Sequence, residues 1–169
     1  MTKALLLFPF LVALSATAHA QDLVRFRGGI GVLPVASAPG PAATAEVVSR
    51  NIVRGVQPAG QIWVIAAFGA DVKADGSIRA EGRGLLLGGG DAIGFNGNAS
   101  VFATLICEAT APFTQHSTNA IGVPLEANGD FRIDDVLVPS PPATCASPVL
   151  LIRVTGSGAW FAAGIPVLR

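Results

Sequence analysis

The stretch IWVIAAFGADVKADGSIRAEGRG, Ile62 to Gly84, decides the fold class. Ser77 to Gly84 alternates strictly. Arg79, Glu81 and Arg83 point one way, and Ile78, Ala80, Gly82 and Gly84 the other. That period of two is the signature of a strand with one wet face and one packed face. Asp75-Gly76, just before it, supplies the positive-φ chemistry of a hairpin turn. Ile62 to Ala70 is apolar on both faces, which predicts a central strand covered on each side. The packed face of the second strand is unusually small, so it has room for a bulky neighbour such as Trp63 or Phe68.

The same grammar recurs outward from this unit. Asn128-Gly129 predicts a hairpin between Ile121–Ala127 and Asp130–Val138, with Asp135 breaking the alternation at a bulge or strand end. Thr155-Gly156-Ser157-Gly158 separates Val149–Val154, a nearly all-apolar central strand, from Ala159–Ile165. Ala99 to Glu108 is a further strand, with Val101, Ala103, Leu105 and Cys107 on one face. Leu23 to Val35 alternates until Gly28-Gly29 and Gly31 mark a bulge or bend. Ala36 to Ala43 reads as a loop, and Thr44 to Val56 fits a strand better than a short helix. Many short strands with turn signals and no long helical period predict one all-β domain of about eight or nine antiparallel strands. Its architecture is an Ig-like or transthyretin-like β-sandwich, or a closed small barrel. The segment Val123 to Val138, VPLEANGDFRIDDVLV, resembles a hairpin of transthyretin-like and other Ig-like exported sandwiches. The resemblance covers about sixteen residues and carries no functional residue with it.

The N-terminus predicts export. Lys3 is followed by the apolar run Ala4–Leu14, and Ala18-His19-Ala20 is a small-x-small cleavage pattern. Cleavage between Ala20 and Gln21 leaves one domain, 21–169. The apolar run is shorter than the ~20 residues a spanning helix needs, so the cleaved chain has no helical anchor there. In an oxidising compartment Cys107 and Cys145 pair with each other. On the chain-entropy treatment a loop of that length is worth roughly 4 kcal/mol. The bond fastens the Pro-rich segment Pro139–Pro148 to the strand that ends at Glu108.

Composition removes several function classes. Basic and acidic residues number 11 each, and Lys3 lies in the leader, so the rest is very slightly acidic. Nucleic-acid binding requires a basic excess gathered on one face, so no nucleic-acid partner is expected.

Tempting motifs fail on spacing. Gly88-Gly89-Gly90-Asp91-Ala92-Ile93-Gly94 matches no phosphate-loop template. Asp71–Gly76 puts Lys73 where a calcium loop needs an oxygen ligand, and its twelfth position is Gly82. His116, the single histidine after the leader, is expected in a polar loop, Pro112–Asn119, and excludes any site needing two imidazoles. Asp134 and Asp135 are neighbours and diverge on a strand rather than pairing. No cofactor and no metal site is expected. Trp63 and Trp160 lie in apolar strands and are expected in the core.

The expected function is therefore an exported, non-enzymatic binding or surface module. Its partner is an unknown protein or envelope component, and Arg79, Glu81 and Arg83 form the contact face. Two alternatives are a small outer-membrane barrel and a secreted hydrolase using His116 or a carboxylate. The absence of Tyr and a C-terminus of Pro166-Val167-Leu168-Arg169 argue against the barrel.

Overall fold

The structure is a computed structural model and describes residues 20–42 and 46–167. The expected leader, Met1 to His19, lies outside the described residues; Ala20 and Gln21 precede the first strand. In chain order the strands are β1 (Asp22–Gly31), β2 (Val35–Pro39), β3 (Glu46–Arg50), β4 (Trp63–Val64) and β5 (Ala67–Lys73). Then come β6 (Ser77–Arg83), β7 (Leu86–Leu87), β8 (Ser100–Ile106) and β9 (His116–Ser117). The last four are β10 (Val123–Pro124), β11 (Phe131–Val136), β12 (Val149–Val154) and β13 (Trp160–Pro166).

One antiparallel sheet dominates, in the order β10-β8-β12-β13-β1-β5-β6-β11, with β9 also on β8. Its two ends meet. The turn at Asn128-Gly129 joins β10 directly to β11, with Gly129 N–H donating to Glu126 O at 2.8 Å. Ser117 and Val138 exchange two backbone bonds of 3.0 and 2.8 Å, so β9 bridges β8 to the end of β11. The Asn119 N–H donates to Asp135 Oδ2 at 2.9 Å across the same seam. Of the two architectures the sequence allows, the chain takes the barrel, nearly closed. Curling brings both sheet edges together and pairs much of the backbone that an open sheet leaves exposed.

The interior explains the small residues. Inward rows run Phe26–Ala70–Ala80–Ile133 and Phe68–Gly82–Phe131 across adjacent strands. A Cβ at Gly82 would lie 2.1 Å from the Phe131 ring, and one at Gly164 would lie 2.8 Å from Phe68 and 3.0 Å from Phe26. The narrow positions thus admit three phenylalanines. Phe131 and Phe68 are the bulky neighbours that the small face of β6 accommodates, their centroids 6.4 Å apart. Trp63 instead stacks on Phe161, at 3.9 Å and 17°. Both tryptophans are buried.

Local outcomes divide. The hairpin at Asp75-Gly76 forms, with only Gly76 taking positive φ, at +87°. The bulge in β1 sits between Phe26 and Gly29, with Gly28 at φ +88°. The strand reading of 44–56 holds over Glu46–Arg50. Val149–Val154 is central, between β8 and β13.

Three expectations are corrected and a fourth is narrowed. Ile62–Ala70 is not one strand. Trp63–Val64 pairs with Leu86–Leu87, while Ala67–Lys73 enters the main sheet. The chain breaks at Ile65-Ala66 because Trp63 N–H is drawn to Val32 O at 3.2 Å and Ala66 N–H to Arg83 O at 2.9 Å. The expected loop at 36–43 is a strand over Val35–Pro39, paired with β3 in a two-stranded ribbon. The segments flanking Asn128-Gly129 do not form a ladder with each other; one goes to β8 and the other to β6. Of bulge and strand end, Asp135 marks no bulge; the strand ends one residue on, at Val136. β11 keeps register with β6 through Val136, and Asp135 occupies the inward row Val24–Val72–Ile78, where its carboxylate accepts from Asn119.

Cys107 and Cys145 are bonded, 38 residues apart, with Cα atoms 4.7 Å apart. Ser147 N–H donates to Cys107 O at 3.1 Å, so the Pro139–Pro148 segment is fastened by backbone as well as sulfur.

Candidate functional site

The outward face of β1, β5, β6 and β11 carries nearly all the clustered charge. Strand register places Arg25, Asp71, Arg79 and Asp134 in one row, and Arg27, Gly69, Glu81 and Arg132 in the next. Opposite charges therefore alternate across the strands, as cross-strand pairing favours. Arg27 Nη2 lies 2.8 Å from Asp71 Oδ1, and Arg25 Nε lies 3.5 Å from the same oxygen. Glu81 Oε1 sits 3.5 Å from Arg79 Nε and 3.3 Å from Arg132 Nη1. About half of each of these arginine side chains is in water, so each pair contributes at most about 1 kcal/mol.

Gly69 interrupts the second row. A Cβ there would meet nothing closer than Arg27 Nη1 at 3.8 Å, so the missing side chain leaves a notch. The resulting depression measures about 420 Å³ and is lined by Arg27, Gly69, Asp71, Arg79, Glu81 and Arg83. Arg27 is held flat against the sheet by the Phe26 and Ala70 carbonyls, at 2.7 and 3.1 Å. Arg83 makes no ion pair among the described residues. The three residues expected as a contact face are thus exposed together at one open depression. At the edge of this face Asp22 takes Lys73 and Arg25 as partners. The Lys73 ammonium first, and Arg25 second, hold its carboxyl below the usual carboxylate range.

His116 is placed otherwise than its polar neighbours suggest. It is buried in β9, on the inward face opposite Leu105. Its Nδ1 lies 2.8 Å from Pro139 O. A carbonyl only accepts, so Nδ1 carries the hydrogen. The enclosed Nε2 has no hydrogen-bond partner among the described residues. Adjacent hydroxyls are engaged in the barrel seam. Ser117 Oγ is 2.9 Å from Thr104 Oγ1, and Thr118 Oγ1 accepts from Ala103 N–H at 3.0 Å. Asp134 faces the charged surface and Asp135 the seam, so the adjacent pair does diverge. Among the described residues no group of three or more His, Cys, Asp or Glu gathers as a metal would need.

Two half-buried arginines escape sequence reasoning. Arg54 takes φ +49° beside Gly55 at +81°, forming a tight turn closed by Val53 and Val56. Its guanidinium donates to Ser147 O, Ser147 Oγ and Ile106 O at 2.6, 2.7 and 3.1 Å. Burial lowers its pKa, and Glu108 opposes the shift. Arg153 donates to Gly158 O at 2.6 Å and Gln115 Oε1 at 2.7 Å, with its guanidinium 5.1 Å above the Phe102 ring. Arg54-Gly55 resembles the X-Gly signal of a tight turn, but no local pattern announces the distant carbonyls it reaches.

No protein-family model, curated protein or solved structure matches the chain.

Proposed function

We propose that the chain is an exported, non-enzymatic binding module that docks a protein or envelope component through the charged outer face of β1, β5, β6 and β11. The observation that carries this reading is the in-register charge alternation over four strands, opened at Gly69 into a depression bordered by Arg83, which makes no ion pair among the described residues. Patterned charge of this kind confers orientation and partner discrimination more than raw affinity.

The same face weighs against an outer-membrane barrel. A lipid-facing wall is apolar and its lumen polar. Here Arg25, Arg27, Arg79, Arg83 and Arg132 point outward, and Phe26, Leu105, Leu150 and Ile152 are buried. The His116 form of the hydrolase alternative is disfavoured, because burial of the ring keeps substrate from its Nε2.

The test compares the oxidised, leaderless protein with an Arg79→Ser/Glu81→Ser/Arg83→Ser variant as baits for periplasmic and medium fractions. Capture of the same partner by wild type alone, weakening with salt, supports the reading. Equal capture by both baits, or no partner for either, sinks it.

A further inference from the structure

The ribbon of β2 and β3 stands apart from the barrel. All ten of its residues are exposed, including Val35, Val47 and Val48, which are 48%, 52% and 60% accessible. Its register alternates apolar residues onto both faces: Ser37 lies opposite Val48, and Ala38 opposite Val47. A two-stranded ribbon alone in water is marginally stable, and an exposed apolar edge is a template for another strand.

The two edges differ. β2 is preceded by Pro34 and ends at Pro39, with Pro41 beyond, and each proline lacks the N–H a new strand requires. β3, Glu46-Val47-Val48-Ser49-Arg50, contains no proline. Its charges have no ionic counterpart among the described residues. Glu46 pairs across the ribbon with Pro39, and Arg50 with Val35. Among the described residues Glu46 makes no ion pair, and Arg50 donates only to Pro58 O, at 2.8 Å.

This five-residue strand is self-complementary. Laid antiparallel against a second copy about a two-fold axis at Val48, it sets Glu46 opposite Arg50 of the other copy, twice. Val48 faces Val48, and Val47 faces Ser49. We propose that the β3 edge is a homodimer interface, joining two copies into a four-stranded sheet in the order β2-β3-β3-β2. The arrangement is isologous, with the same patch used on both sides. Its small size places it among weak, concentration-dependent contacts.

The test uses charge exchange at exposed positions in the oxidised, leaderless protein. Wild type, Glu46→Arg, Arg50→Glu and the double variant are compared by sedimentation velocity over a concentration series, with near-ultraviolet circular dichroism to check the fold. Each single variant sets like charges opposite each other at both contacts, and the dimer dissociation constant rises about tenfold or more. The double variant restores the wild-type value. An equimolar mixture of the two single variants forms a heterodimer, because every Arg then meets a Glu. A wild type that stays monomeric at every concentration overturns the proposal. So does a dimer indifferent to the single changes, or a mixture that fails to associate.

Discussion

Gly82→Ala is the sharpest test of how this barrel closes. An alanine at an ordinary strand position stabilises by about 0.4–1 kcal/mol, because the unfolded chain loses freedom. Gly82 has no unusual backbone conformation to defend, since it is absent from the positive-φ residues. On backbone grounds alone the substitution is favourable. Packing reverses the sign. The new Cβ would lie 2.1, 2.4 and 2.9 Å from Cε1, Cζ and Cδ1 of Phe131. Carbon–carbon contacts are comfortable at about 3.5–4 Å, so the ring must retreat by more than an ångström. Phe131 is buried, with Phe68 beyond it, so the displacement propagates inward. Overpacking of this kind costs about 1–3 kcal/mol, leaving a net loss of about 1.3 kcal/mol at the middle of both ranges after the backbone gain. The assay is urea denaturation: the midpoint falls while the slope stays constant. A second substitution, Phe131→Leu, costs less in the Gly82→Ala background than in wild type, because the smaller side chain relieves the clash. A Gly82→Ala protein as stable as wild type, or more so, refutes the account of the small inward face.

Other perturbations have equally definite outcomes. Arg54→Ala removes three donated bonds from a half-buried guanidinium and leaves the Ser147 and Ile106 carbonyls without it; a loss of about 1–3 kcal/mol is expected, with faster amide exchange at Ser147. Replacing Cys107 and Cys145 by alanine opens a loop of 38-residue separation, which lowers stability by roughly 4 kcal/mol on the chain-entropy treatment, measured by urea titration against the oxidised protein. Asp22, Asp75 and Glu108 are all held below their ordinary values, chiefly by Lys73, by the Ser77 backbone amide and by Glu108's own backbone amide respectively. Each therefore adds stability that is present above its unfolded pKa of about 4 and is lost as pH falls through the lower folded value. The urea midpoint should drop below about pH 4, and Asp22→Asn should flatten part of that drop.

The predominantly β class, the hairpin at Gly76, the bulge after Phe26 and the exposed Arg79, Glu81 and Arg83 were legible from the sequence. Each depends on local rules: alternation, and the few residues that accept positive φ. The pairing of Cys107 with Cys145 was legible too, because only two cysteines exist to combine. His116 was misread because its neighbours Gln115, Ser117 and Thr118 are polar. The hydroxyls of Ser117 and Thr118 bond the neighbouring strand rather than solvent, through Thr104 and Ala103. Ile62–Ala70 was misread because a continuous apolar run carries no mark of where the chain leaves one ladder for another.

Closure itself was decided in three dimensions. Nothing in Val123–Val138 says that its two arms serve opposite edges of one sheet. That follows from how far the sheet curls, and the curl is set by phenylalanines seated over glycines on other strands. On β6 and most of β11 sequence alone determined which residues face water, because side-chain alternation is a property of one strand. Only the tertiary structure decided that four such faces lie side by side, so that Arg27, Asp71, Arg79, Glu81 and Arg83 surround the gap at Gly69. Strand order and register are properties of the whole sheet, and no single strand encodes them.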